Sequence, residues 1–379
     1  MARERTGADG SDSCRVVYLL GSGATQGCIS HSGSRHNITM DGLSRTISDQ
    51  VHLRVIEKYE DHAGIRRLVN TAMISQENLD IEQMITFLED TPASEYRDFA
   101  DDLRDVFSYV LRARLKDVEN ELGKSRSRLY AALVDMHEVA GNSEQLQGFL
   151  TLNYDILLEH AIVKDLGRKV DYGIAPSRVD GTGRHITVLK MHGSFGWSRN
   201  WPIEIKLRHG DGVWIPPGIK KPKNDYPFNL IWGRARELLD CDVVRIIGCN
   251  LGPNDWDLLS LLFSTRHTHA SAQPYAIEVI ATRPTVERIR NLFPYLEVRW
   301  LPELPKIGDQ LVGELLGSGP RRYNNLPEDL QSQANDKAQQ SITNPFSFWL
   351  KMMCERLVTD VGDLSTKSGV FRKFTDAIA

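Results

Sequence analysis

Four times in this chain a short, β-branched apolar run stops abruptly at a glycine or polar turn. Arg15-Val16-Val17-Tyr18-Leu19-Leu20 runs into Gly21-Ser22-Gly23, and Gly148-Phe149-Leu150-Thr151 into Leu152-Asn153-Tyr154-Asp155. Ile186 to Met191 stops at His192-Gly193-Ser194, and Asp242 to Ile247 at Gly248-Cys249-Asn250-Leu251. Largely apolar runs of this length suit strands covered on both faces, as in a parallel sheet. Val170 to Val179, Ala276 to Ile280 and Leu296 to Trp300 add further strands, the first followed by a Gly-rich turn at 180–183. Helical stretches are expected at 156–163, 230–239, 255–263 and 285–292. Strands alternating with helices predict an α/β fold with a doubly wound, parallel, Rossmann-like sheet. In such a sheet ligands bind beyond the carboxyl ends of the strands, where these four turns fall.

A helical block at about 52–140 interrupts the alternation and is expected to form an insertion lobe. Ile81, Met84, Ile85 and Leu88 recur at i, i+3, i+4 and i+7, one apolar helix face. Pro92 ends that helix, a second carries Phe99, Leu103, Phe107, Val110 and Leu111, and Leu129 to Val139 repeats the pattern. Residues 24–50, rich in Ser, Gly, His and Thr, read as a loop with a short helix. The expected organisation is a disordered stretch at 1–14, one domain over 15–305, and a linker with a helical tail over 306–379. Phe346, Phe348, Trp349, Leu350, Met353 and Leu357 give that tail an apolar face that should dock on the core or on a neighbouring subunit.

Composition excludes several classes. A formal charge of −4 over 379 residues argues against a general nucleic-acid binder. The longest apolar runs are strand-sized, short of the ~20 residues of a membrane-spanning helix. The first ten residues are polar, without the apolar centre of a signal peptide, so the expected location is cytoplasmic. Five cysteines never form a C-x-x-C pair, so no zinc ribbon and no metal are expected. Cys241 and Cys249 read as core thiols. The Lys206-to-Lys223 stretch reads as a solvated loop.

Each turn has a structural and a chemical reading. Gly21-Ser22-Gly23 could let a pyrophosphate approach the backbone or simply turn the chain; Gln26 breaks the dinucleotide fingerprint G-x-G-x-x-G. Asn153 and Asp155 could orient a ribose or a water, or cap the helix that follows. His192 has the side chain suited to proton transfer near neutral pH, although a lone histidine is more often structural. Gly248-Cys249-Asn250 could hold ribose or phosphate or be an ordinary connection.

Together and in order, Gly21-Ser22-Gly23-Ala24, Thr151-Leu152-Asn153-Tyr154-Asp155, Lys190-Met191-His192-Gly193 and Gly248-Cys249-Asn250-Leu251 resemble the motifs of the sirtuin-like family. The match looks closest to bacterial sirtuin-like NAD hydrolases of anti-phage defence, and Leu79-Asp80-Ile81-Glu82 and Trp214-Ile215-Pro216-Pro217 are similar to that branch. Ser22, Thr25 and Asn250 depart from the usual pattern, and the four-cysteine zinc module of protein deacylases is missing. The resemblance implies that Asn153 and His192 are catalytic, on ribose or water and as base respectively. It implies that Gly21, Ser22, Gly23, Ala24 and Thr25 cradle the diphosphate of NAD. Asp155 would sit near the nicotinamide, and Gly248, Asn250 and Leu251 near the adenosine half. NAD would be the substrate, and activity would be gated by homo-oligomerisation or by a partner such as a hexameric ATPase of the HerA type. Nucleic acid would be met only through that partner. The alternatives are a non-catalytic NAD- or ADP-ribose-binding module and an NAD-dependent deacylase.

Overall fold

A computed structural model describes residues 13–33, 36–54, 56–74, 81–122, 129–139, 142–174, 185–197, 213–216, 223–268, 275–300 and 344–361. Seven parallel strands form one sheet: β1 (Cys14–Leu20), β2 (Glu144–Thr151), β3 (Lys169–Asp171), β4 (His185–Lys190), β7 (Val243–Ile247), β8 (Ala276–Ile280) and β9 (Val298–Trp300). Their spatial order is β3-β4-β2-β1-β7-β8-β9. The strands before β7 fan out on one side of β1 and the later ones on the other, the doubly wound α/β arrangement that the alternation predicts. A separate antiparallel pair, β5 (Gly193–Ser194) and β6 (Val213–Trp214), follows β4.

Because successive side chains of a strand point to opposite faces, β1 feeds two cores at once. Val16, Tyr18 and Leu20 face one core, covered by α1 (Ser22–His31), α6 (Leu129–Asp135), α7 (Leu157–His160) and α11 (Pro345–Val361). Val17 and Leu19 face the other, under α8 (Phe228–Leu238), α9 (Trp256–Thr268) and α10 (Arg283–Leu292). All five are fully buried. This explains why β1 reads as a largely apolar run.

The helical lobe lies between β1 and β2 in sequence and has its own core. It comprises α2 (Met40–Arg54), α3 (Ala63–Ile74), α4 (Ile81–Asp90) and α5 (Ser94–Leu122). Its boundaries differ from 52–140. The stretch 24–50, expected as a loop with a short helix, instead holds most of two helices, α1 and α2; Leu43, Ile47 and Val51 repeat every four residues and bury one face of α2. At the other end α6 belongs to the sheet. Every residue of Leu-Tyr-Ala-Ala-Leu-Val-Asp is buried there, as expected for a helix apolar on all sides. β1 begins at Cys14, one residue ahead of the expected start. The tail helix docks on the core of its own chain, with Phe346, Trp349 and Leu350 buried. The Gly-rich turn at 180–183, the stretches 79–80, 206–212 and 217–222, and the polar segment 319–340 lie outside the described residues.

The sheet carries a buried ionic cluster in its interior, centred on Arg245. Arg245, at the centre of β7, pairs laterally with Tyr18 of β1 and Glu278 of β8. Its guanidinium bonds Glu144 bidentately (2.9 and 2.7 Å), Glu278 (2.8 Å) and the Tyr18 hydroxyl (2.8 Å). It also lies 5.1 Å from the Trp349 ring centre. Removing one member of such a cluster leaves buried carboxylates uncompensated. Arg245→Met is therefore expected to lower unfolding free energy by about 3–5 kcal/mol in a denaturant titration. The Tyr18 hydroxyl also bonds His137 Nε2 at 2.8 Å, and burial pushes the His137 pKa down to about 4. A neutral buried imidazole stabilises the fold fully above its unfolded pKa, near 6.5, and that contribution fades as pH falls toward 4. The fade is about 1.4 kcal/mol per pH unit, and replacing His137 with Gln should flatten the slope of stability between pH 6.5 and 4.

Candidate functional site

A cavity of about 410 Å³ opens at the carboxyl ends of β1, β2, β4 and β7, at the switch point where the strand order reverses. Its size falls within the range of small-ligand sites. The sheet side supplies Gly21, Ser22, Gly23, Asn153, Asp155, His192, Gly248 and Asn250. Ile38, Thr39, Leu43, Glu82, Phe107, Leu111 and Leu115 form an opposing, largely apolar wall drawn from the lobe and the segment leading into it. Three of the four turns singled out by sequence, and the first residue of the fourth, His192, therefore meet in one place.

The floor is made by two backbones in contact. Gly21 N–H donates to Ile247 O (3.0 Å), and Gly23 N–H to Gly248 O (2.9 Å). A Cβ on Gly21 would come 2.5 Å from Gly248 O, and one on Gly23 would come 2.8 Å from Gly248 Cα. Gly248 has φ +57°, and a Cβ there would stand 2.1 Å from Ala24 N. Ala24 N–H in turn donates to Gly21 O (2.9 Å). The amides of Gly21, Gly23 and Ala24, expected to cradle a diphosphate, are thus already engaged with carbonyls of this chain. What the glycines contribute is close approach of the β1 and β7 turns.

Thr25 does not line the cavity but organises it. Its buried hydroxyl donates to Asp155 Oδ2 (2.8 Å), accepts Asn153 Nδ2–H (3.0 Å) and contacts the Tyr130 hydroxyl (3.0 Å). Asn153 Nδ2 also donates to Gly21 O (2.9 Å), and its backbone N–H to Thr151 Oγ1 (3.1 Å). With both amide protons engaged, the carbonyl oxygen of the side chain is the group left to meet a ligand. Asp155 Oδ1 accepts the Leu157 N–H (3.0 Å), so this residue both ties down the start of α7 and lines the cavity. Ala24 and Leu251 are buried in the core and do not line the cavity, whereas Asn250 is exposed at its edge.

His192 is buried and lines the cavity beside Tyr154, ring centres 6.2 Å apart. Its carbonyl accepts Ile215 N–H (2.8 Å), and Tyr154 OH donates to Ile215 O (2.9 Å). Tyr154 stacks on Phe195 (5.3 Å) and meets Trp214 (5.6 Å) and Phe107 (6.2 Å) edge-on, which ties the lobe to the β2 and β4 ends. Burial, then the charges of Glu82 and Asp255, push its phenol well above the usual range. Two further residues carry weight. Lys190 is buried; its ammonium donates to the Asp155 carbonyl and pairs with Glu159 at 2.9 Å. Burial pushes the Glu159 carboxyl up, and Lys190 opposes that rise. A lysine ending an apolar strand and a glutamate inside an apolar helix were the signals for this pair. Lining carboxylates come from Glu82, Asp155 and Asp255, and no lysine or arginine is among the described lining residues.

No family model matches the chain, and no curated protein matches it. Among solved structures the chain is similar to one described as "Sir2 homologue S24A mutant-ADP ribose complex". The two share 15% sequence identity at a TM-score of 0.36, over 88% of this chain and 96% of that one.

Gly248→Ala would place a methyl group against the Ala24 backbone at a positive φ. Strain of that kind costs of order 1–3 kcal/mol, so a lower melting temperature and loss of ligand binding at the cavity are expected. Thermal melts and calorimetry on the same preparation check both.

Proposed function

We propose that this chain is a sirtuin-like NAD hydrolase that cleaves NAD to nicotinamide and ADP-ribose. The observation that carries the reading is the fixed amide of Asn153, held by Gly21 O and the Thr25 hydroxyl in the same cavity as His192. An amide locked on its donor side presents an acceptor oxygen to a ribose hydroxyl or to a water. His192 then takes a proton from that water or hydroxyl. The C1′–N bond breaks with its electron pair going to the nicotinamide ring, which leaves neutral. The water oxygen bonds C1′, and one proton is released. Carboxylates at Asp155 and Glu82 give the cavity a negative field suited to the cationic ring and to the oxocarbenium-like charge that develops. The apolar lobe wall limits competing water. In this reading Asn250 and the Gly248 turn face the adenosine half, and Ser22 the region between the two halves.

On the sequence resemblance, the activity depletes NAD in anti-phage defence. An ungated enzyme would exhaust its own cell, so the reading includes control by homo-oligomerisation or by a partner ATPase of the HerA type, through which nucleic acid would be sensed. Asn153→Ala and His192→Ala are each expected to cut nicotinamide release by ~10²-fold or more, the scale of losing a positioned catalytic group. The assay is run on the chain alone and with the product of its genomic neighbour. Full activity in both folded variants would remove the assignment. Tight NAD binding without turnover in any assembly state would favour a signalling module.

A further inference from the structure

We infer that Trp214 is a positioning residue for His192: its ring fixes the short strand β6 against the helical lobe, and β6 fixes the backbone from which the imidazole projects. The inference rests on the hydrolase reading above, in which His192 moves the proton, and names what holds that group in place.

The chain is anchored differently on the two sides of His192. Ahead of it the sheet holds the backbone: Met191 N–H donates to Thr151 O (2.9 Å), and Met191 O accepts the Trp232 indole N–H (3.2 Å). Beyond it, Tyr154 O accepts the Ser194 hydroxyl and the Phe195 N–H, both at 3.2 Å. At His192 itself the partner is β6. The His192 carbonyl accepts the Ile215 N–H (2.8 Å), and Gly193 pairs with Trp214 across the antiparallel ladder. Gly193 has φ +75° and no room for a Cβ, which would meet the Val213 carbonyl, so β6 lies directly on the turn that follows His192.

A strand of two residues has little ladder of its own, and its side chains decide where it sits. Successive side chains point opposite ways. Ile215 is buried in the core on the α8–α10 face of the sheet, whereas Trp214 is half-buried and packs on the core of the lobe. There its ring stacks on Phe107 of α5, with centres 6.2 Å apart and planes at 22°. It also meets Tyr154 (5.6 Å) and Phe195 (5.1 Å) edge-on. Tyr154 secures the same strand a second time by donating its hydroxyl to Ile215 O (2.9 Å). Trp214 does not line the cavity, so its loss takes away no ligand contact of its own and acts through the groups it holds. The lobe thereby reaches the histidine through one ring and one backbone hydrogen bond.

The test compares kcat and KM for nicotinamide release, and amide hydrogen exchange at Ile215, in wild type, Trp214→Ala, Trp214→Phe and Tyr154→Phe. Trp214→Ala is expected to lower kcat by about 10–10²-fold with little change in KM, the scale of a displaced catalytic group. Exchange of the Ile215 amide should quicken by about tenfold, the scale of losing several aromatic contacts. Trp214→Phe keeps an aromatic face toward Phe107 and should recover most of both. Tyr154→Phe removes only the hydroxyl on Ile215 O and should move both in the direction of Trp214→Ala, by a smaller factor. A raised KM at unchanged kcat overturns the inference, as does a fall in kcat that Trp214→Phe does not recover. Ile215 exchange as slow in Trp214→Ala as in wild type overturns it as well. Should Trp214→Ala not fold, Tyr154→Phe decides, and unchanged kcat and exchange there overturn it. A wild type without turnover in any assembly state overturns the hydrolase reading instead. The positioning role is then judged on Ile215 exchange alone, sustained by quickening in Trp214→Ala that Trp214→Phe reverses and overturned without it.

Discussion

The site depends on one contact: the backbone of the β1 turn lying directly on the backbone of the β7 turn. Gly21, Gly23 and Gly248 have no Cβ where one would collide with the facing chain, and the two turns share hydrogen bonds across the gap. That contact fixes the floor at the switch point and orients Gly21 O, on which the Asn153 amide hangs. It also changes the meaning of a glycine-rich loop. Loops of this composition are usually read as amide cradles for phosphate; here three of those amides face inward to protein carbonyls, and shape is what they supply.

A second layer rests on that floor. Thr25, one turn into α1, uses its single hydroxyl to join Asn153, Asp155 and Tyr130, so the β2 turn and α6 converge on one oxygen of α1. Lys190 performs the matching task from β4, holding the Asp155 carbonyl while neutralising buried Glu159. Neither residue needs to touch a ligand for its loss to be felt, because both restrict groups that do line the cavity. The Arg245 cluster, farther down the same sheet, locks the register of β1, β7 and β8 by ionic contacts rather than by shape.

Strand runs ending in turns were legible because burial on both faces forces apolar residues at most positions of β1 and β7, Arg15 and Arg245 being the exceptions. Convergence of Gly21, Asn153, His192 and Gly248 was legible too, since a parallel sheet sends all its carboxyl ends the same way. Other features were hidden for physical reasons. The start of the lobe was obscured by polar residues on the outer side of α2, which mask the Leu43-Ile47-Val51 stripe. Leu251 and Ala24 looked like site residues from their place in the motifs, yet packing turns both into the core. Tyr130 and Glu82 lie far from the turns in sequence, and only the tertiary fold brings them to the site.

Helix α11 adds a consequence in time. Its leading residues clamp α1 from behind: Asn344 Nδ2 donates to Gly27 O at 2.8 Å, and Phe346 packs beside Tyr130 with ring centres 5.8 Å apart. The platform that begins at residue 21 is thus completed by residues more than three hundred positions later. A chain emerging in order from the ribosome carries an unfinished crevice until almost all of the described sequence has been made.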